Sequence, residues 1–141
     1  MKRIVLQTAL LVASLNIKAQ QDENWTLAQL MSPSLLASEI NSKKQLPVII
    51  SVGPGGVIPN SLVAGMANTR EGLVNLQEHL NTLSKESKVV VYCGCCPYEH
   101  CPNVRPAMAL LKKLGFTNYY LLDLPHNIKT DWIDKGYPTA K

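Results

Sequence analysis

The stretch VVVYCGCCPYEHCPNVRPAMALLKKLGFTNYYLL, residues 89–122, decides the fold of this chain. It opens with Val89–Tyr92, a short β-branched and aromatic run that predicts a buried strand. A helix is predicted over Pro106–Leu114, because proline suits the first turn of a helix and Gly115 suits its C-terminal stop. A further strand is predicted over Asn118–Leu122. Strands that alternate with helices in this way predict a parallel sheet.

The flanking sequence continues this alternation. Its predicted elements are a helix capped by Ser32, a buried strand over Leu46–Val52, a loop with one short extended piece over Val57–Arg70, a helix over Glu71–Leu83 and a short helix over Asp131–Lys135. The chain is therefore predicted to have an α/β fold, with helices on both faces of a central parallel sheet. Sites in such sheets form where a strand ends and the next helix begins, and the cysteine-rich segment after Tyr92 occupies that place.

The first residues predict export. Lys2 and Arg3 precede an apolar run over Ile4–Leu15, and cleavage after Ala19 would complete a secretory signal peptide over residues 1–19. The apolar run is too short to span a bilayer permanently. The remainder, residues 20–141, has a length that suits a single domain. We therefore expect a periplasmic or secreted protein that has no membrane association after cleavage.

The net charge of the chain gives no indication of a nucleic-acid partner. The formal net charge is +4, but signal cleavage would remove three of the 14 basic residues and no acidic residue. The mature part would then carry 11 basic and 10 acidic side chains. The hydrophobic fraction of 46% and the charged fraction of 17% are those of an ordinary globular protein and argue against disorder.

The cysteines are the most informative residues. All four lie within nine positions, at Cys93, Cys95, Cys96 and Cys101. A disulfide framework would instead spread cysteines along the chain to close long loops. The clustering therefore predicts a local chemical site, which export would place in an oxidising compartment.

These elements together resemble the rhodanese family. The resemblance rests on the strand Leu46–Val52, the strand and cysteine VVVYC, the unit LLKKLGFTNYYLL, and the closing Trp132 with Gly136-Tyr137-Pro138. It covers most of residues 20–141 and implies a single rhodanese-like domain. By this resemblance Cys93 is the nucleophile of a sulfurtransferase: it takes a sulfane sulfur from a small anion such as thiosulfate, becomes a persulfide, and passes the sulfur to an acceptor that the sequence does not identify.

Two features depart from the family pattern. Ser51 and Gly53 stand near the positions where an Asp and an Arg often follow the first strand. The arginine that often follows the nucleophile by five positions is here Arg105, twelve positions on, so the active-site loop is enlarged. Arg105 remains a candidate catalytic residue, because it can hold an anionic donor at the start of the following helix.

The extra thiols leave alternatives open. Cys95, Cys96 or Cys101 could resolve a persulfide on Cys93, or two of these cysteines could form a disulfide that stiffens the loop. A thiol–disulfide oxidoreductase on the same scaffold is a further alternative. A non-catalytic module binding copper or zinc is another, with Cys93, Cys95, Cys96, His100 and Cys101 as the candidate ligands. The sulfurtransferase interpretation itself requires no cofactor.

Overall fold

The computed structural model describes residues 24–141 and has a five-stranded sheet within them. The strands are β1 (Leu30–Met31), β2 (Val48–Ser51), β3 (Leu62–Val63), β4 (Val89–Tyr92) and β5 (Tyr119–Leu122). Their order in the sheet is β1-β5-β4-β2-β3, and every pairing is parallel. The predicted parallel sheet is confirmed, and β4 is its central strand. The predicted signal peptide lies outside the described residues.

Three α-helices connect these strands. They are α1 (Pro33–Ser42), α2 (Arg70–Asn81) and α3 (Val104–Lys113). Two short 3-10 helices lie at Leu27–Gln29 and Tyr98–His100, and a π-helical turn lies at Lys129–Ile133. No helix among residues 24–141 has the length and apolar character needed to cross a lipid bilayer.

The two faces of the sheet have separate cores, as the alternation along β4 requires. Val89 and Val91 point to the face that packs against α2 and α3, whereas Val90 and Tyr92 point to the face covered by α1 and Trp132. All four residues are buried, and each such apolar side chain contributes about 1.5–3 kcal/mol to folding. The predicted α/β layering with helices on both faces is confirmed.

The observed element boundaries differ from the predicted ones where local signals are weak. Ser32 caps α1 as predicted, because its side chain accepts a hydrogen bond from the Leu35 N–H. Helix α3, however, begins at Val104 and not at Pro106, so that Pro106 lies inside its first turn. In place of the short helix predicted over Asp131–Lys135, the structure has the π-helical turn at Lys129–Ile133, two residues earlier. These shifts change which side chains α3 presents to the cysteine loop.

Candidate active site

Cys93 is the first residue after the central strand β4, at the carboxyl edge of the sheet. Its side chain is only 2% exposed and belongs to the core on the α2 and α3 side. The loop after β2 makes room for it: a Cβ atom on Gly53 would lie 2.5 Å from the Cys93 sulfur. Only a glycine at position 53 therefore leaves enough space for the Cys93 thiol.

The four cysteine sulfurs form one cluster, which we call the thiol cluster. All of its Sγ atoms lie within 4.8 Å of one another, and all four cysteines are free thiols. The Cys93 and Cys95 sulfurs are 3.3 Å apart, and the Cys95 and Cys96 sulfurs are 3.2 Å apart. Cys93 and Cys101 are buried, whereas Cys95 is exposed and Cys96 is intermediate. The cluster thus extends from the core to the protein surface.

Hydrogen-bond donors surround the Cys93 sulfur. The Cys101 thiol, followed by the backbone N–H and the thiol of Cys95, lowers the pKa of Cys93 to about 5, against the opposing effect of burial. A smaller contribution comes from Asn103, whose side-chain nitrogen lies 3.5 Å from the Cys93 sulfur. Asn103 also precedes the first residue of α3, and the positive end of a helix dipole favours a thiolate. The site therefore holds Cys93 as a thiolate at neutral pH.

The neighbouring thiols keep their protons. Partial desolvation of its sulfur, followed by hydrogen bonding with Cys96 and Cys93, raises the pKa of Cys95 to about 12. Hydrogen bonding to Cys93, followed by burial, also raises the pKa of Cys101. Two neighbours of Cys93 are thus held in the protonated form that donates to a thiolate. The reduced cluster is organised around one negative charge on Cys93.

The loop is fixed by the segment that follows β5. The backbone N–H of Ile128 donates to the Gly94 carbonyl over 3.0 Å, and the N–H of Tyr98 donates to the Leu124 carbonyl over 3.2 Å. Gly94 is also required sterically, because a Cβ atom there would lie 2.8 Å from the Ile128 side chain. These contacts close the chain tightly after Cys93 and turn the Cys95 thiol back toward it.

Two candidate residues from the sequence, Arg105 and His100, make no hydrogen bond with the cluster sulfurs among residues 24–141. The Arg105 guanidinium lies over the Trp25 ring at 5.3 Å, and its buried Nε has no hydrogen-bond partner among residues 24–141. The proposed contact of Arg105 with an anionic donor stays a prediction. His100 is exposed and is not part of the thiol cluster within the described chain.

Asn103 is the functional residue that the sequence analysis missed. It is fully buried, accepts a hydrogen bond from the Asn68 N–H over 3.0 Å, and directs its other side-chain atom to Cys93. The available signal was its position three residues before the predicted helix, since asparagine is favoured at the cap position before a helix. Its side chain makes no cap hydrogen bond, because both of its polar atoms are used elsewhere.

Acidic side chains lie near the outer part of the loop. Burial, followed by the charges of Asp131 and Glu99, raises the pKa of Asp123. Glu99 lies in the short helix of the cysteine loop, and Asp123 directly follows β5. These carboxylates are therefore close enough to one another to interact at the outer edge of the site.

Comparison with solved structures identifies the fold. The chain is similar to the BH2092 protein from Bacillus halodurans, with 19% identity, 81% of this chain and 77% of that chain covered, and a TM-score of 0.61. It is similar to a protein from Lactobacillus plantarum, with 15% identity, coverage of 82% and 90%, and a TM-score of 0.60. It is also similar to the rhodanese-like domain of the Alr3790 protein from Anabaena sp., with 19% identity, coverage of 79% and 78%, and a TM-score of 0.57.

These similarities establish a rhodanese-like fold for this chain. They are similarities of structure at low sequence identity. No protein-family model matches the chain, and no curated protein matches it significantly. The activity must therefore be argued from the site itself.

Proposed function

We propose that the protein is a sulfurtransferase that carries a sulfane sulfur as a persulfide on Cys93. The observation that carries this proposal is the buried Cys93 thiolate at the end of the central strand, with its pKa lowered to about 5. A thiolate is the nucleophilic form of cysteine, and hydrogen-bond donors that are already in place also stabilise the charge of a bound persulfide. The rhodanese-like fold supports the same chemistry by analogy.

The first half-reaction needs only the Cys93 thiolate and a donor. The Cys93 sulfur attacks the outer sulfur of a small sulfane-sulfur anion such as thiosulfate, and the bond between that sulfur and the sulfonate breaks. The products are a Cys93 persulfide anion and sulfite, so charge and atoms balance without a proton or a redox partner. We further propose that this reaction occurs after export, outside the cytoplasm.

Sulfite release from thiosulfate tests this function, because sulfite forms whatever happens later to the persulfide. The reduced protein is expected to release sulfite in proportion to its concentration, and Cys93→Ser is expected to release none. Cys96→Ser is the matched control, since it removes one thiol of the cluster and leaves the Cys93 donors in place. Equal sulfite release by the wild type and Cys93→Ser would reject the proposal.

Binding of a soft metal ion is the second candidate function, and the thiol cluster specifically favours it. Zinc–thiolate bonds of about 2.3 Å place the sulfurs of a tetrahedral site about 3.8 Å apart. The four Sγ atoms lie within 4.8 Å of one another, so small side-chain shifts would reach that spacing. Copper(I) prefers the same soft ligands.

Metal titration of the reduced protein tests this candidate. A metal centre formed by the cluster predicts stoichiometric zinc or copper(I) on the wild type and its loss when Cys95 and Cys96 are both replaced by serine. His100→Ala is the control, because this exposed side chain lies outside the cluster in residues 24–141. Failure of the reduced wild type to retain either ion after desalting would reject the metal function.

A further inference from the structure

We propose that Cys95 resolves the Cys93 persulfide within the same molecule, so that the protein releases the transferred sulfur as sulfide and is left with a Cys93–Cys95 disulfide. This inference rests on the proposed persulfide chemistry of Cys93 and gives the site a further activity, the reduction of sulfane sulfur. The Cys95 sulfur lies 3.3 Å from the Cys93 sulfur, at contact distance for this reaction.

The geometry of the loop holds the Cys95 sulfur against the Cys93 sulfur. Only Gly94 separates the two cysteines, and its carbonyl is held by the Ile128 N–H while its missing Cβ lets the Ile128 side chain approach. The backbone N–H and the thiol of Cys95 both donate to the Cys93 sulfur. An internal reactant held at this distance has an effective concentration that no external acceptor reaches, so the internal reaction is expected to precede intermolecular sulfur transfer.

Cys95 is a better resolving residue than Cys101. Cys101 is fully buried, so a disulfide that included it would be closed to a reductant from solvent. Cys95 is the exposed member of the cluster, so a disulfide that includes it can be reached by a reductant from solvent. Cys96 makes a thiol contact with Cys95 at 3.2 Å, and none of this kind joins it to Cys93 among residues 24–141, so Cys96 is one step further from the persulfide.

The proposed step balances in atoms and electrons. The Cys95 sulfur attacks the inner sulfur of the Cys93 persulfide, a Cys93–Cys95 sulfur bond forms, and the bond to the outer sulfur breaks. The outer sulfur leaves with the electron pair and takes the Cys95 proton, so it departs as hydrosulfide. Cys93 and Cys95 are oxidised to a disulfide while the sulfane sulfur is reduced. A further turnover requires an external dithiol, which exchanges with the disulfide and returns both thiols.

A single-turnover experiment tests this step. Reduced protein, freed of reductant and kept anaerobic, is mixed with an equimolar amount of thiosulfate, and sulfite, sulfide and intact mass are followed. The wild type is expected to release sulfite and sulfide in equal amounts and to become lighter by two hydrogens, with the cross-link mapped to Cys93 and Cys95. Cys95→Ser is expected to become heavier by one sulfur atom and to release at least about tenfold less sulfide for each sulfite that it forms, because the internal reactant is lost.

Two outcomes would overturn the inference while leaving the proposed function intact. One is wild-type sulfide release by Cys95→Ser, and the other is a wild-type cross-link that joins Cys93 to Cys101. Asn118→Ala serves as the matched control, because its side chain donates to the Glu86 carbonyl away from the thiols, and it is expected to release sulfide as the wild type does. Failure of the proposed function looks different, because neither the wild type nor Cys95→Ser would then release sulfite or gain a sulfur atom.

Discussion

Replacing Asn103 by alanine is expected to shift the reactivity of Cys93 along the pH axis. Asn103 donates to the Cys93 sulfur over 3.5 Å from a fully buried position. A hydrogen bond to a charged group contributes about 1.5–3 kcal/mol, and at this distance we take the lower value. Since one pKa unit corresponds to about 1.4 kcal/mol, the substitution should raise the pKa of Cys93 by about one unit.

This shift has a characteristic pH signature. Because the pKa of Cys93 in the wild type is about 5, its reactivity is full at neutral pH and is lost as the pH falls through that value. Near pH 5 the thiolate fraction should fall from about one half to about one tenth in Asn103→Ala, which is about a fivefold loss of rate. Near neutral pH both proteins are about nine-tenths ionised or more, so their rates should be nearly equal.

The assay is the alkylation rate of Cys93 as a function of pH, with the modified residue located by peptide fragmentation. Asn118→Ala is the matched control, because its side chain donates to the Glu86 carbonyl away from the thiols. Its pH profile should equal that of the wild type. A rate ratio between Asn103→Ala and the wild type that stays constant from acidic to neutral pH would refute the reasoning, since it would show that Asn103 does not stabilise the thiolate.

Other predictions concern the space and the support around the thiol. Gly53→Ala places a Cβ 2.5 Å from the Cys93 sulfur, so it should lower the free energy of unfolding by about 1–3 kcal/mol and reduce sulfite release. Thermal unfolding and the sulfite assay measure these two effects. Wild-type values in both would contradict the prediction. Tyr92→Phe removes the hydroxyl that accepts from the Val57 and Ile58 N–H groups, which should cost about 1–3 kcal/mol in denaturant unfolding. Alkylation of Cys93 should be unchanged in Tyr92→Phe, and a slower reaction would show that Tyr92 also supports the site.

The fold was predictable because its main signals are local. The run Val89–Tyr92 marks the central strand by composition alone, and Cys93 follows it at the carboxyl edge of the sheet as predicted. Strand β1 was not predicted, because two residues show no periodicity and its pairing with β5 depends on the rest of the fold. Strand β3 lies within Val57–Arg70, where one short extended piece was predicted without a position.

The site was predictable only in part. The clustering of the thiols followed from their spacing, but the contact of Asn103 with Cys93 spans ten residues and depends on the path of the loop. The direction of Arg105 depends on where α3 begins: the sequence analysis places Arg105 before the helix, whereas the observed start at Val104 places it inside the first turn. Sequence periodicity predicts neither the Asn103–Cys93 contact nor the direction of the Arg105 side chain, because both arise from tertiary packing.

The two candidate functions differ in the number of thiolates that they require from the thiol cluster. Sulfur transfer needs one thiolate, and the reduced site already holds it on Cys93, with its pKa lowered to about 5. A tetrathiolate metal centre needs four, although partial desolvation and the neighbouring thiols raise the pKa of Cys95 to about 12, and hydrogen bonding to Cys93 together with burial raises the pKa of Cys101. Metal binding must therefore release protons, and the apparent affinity should rise with pH. Nucleophilic attack has no such requirement above the pKa of Cys93, so at neutral pH the charge distribution favours sulfur transfer.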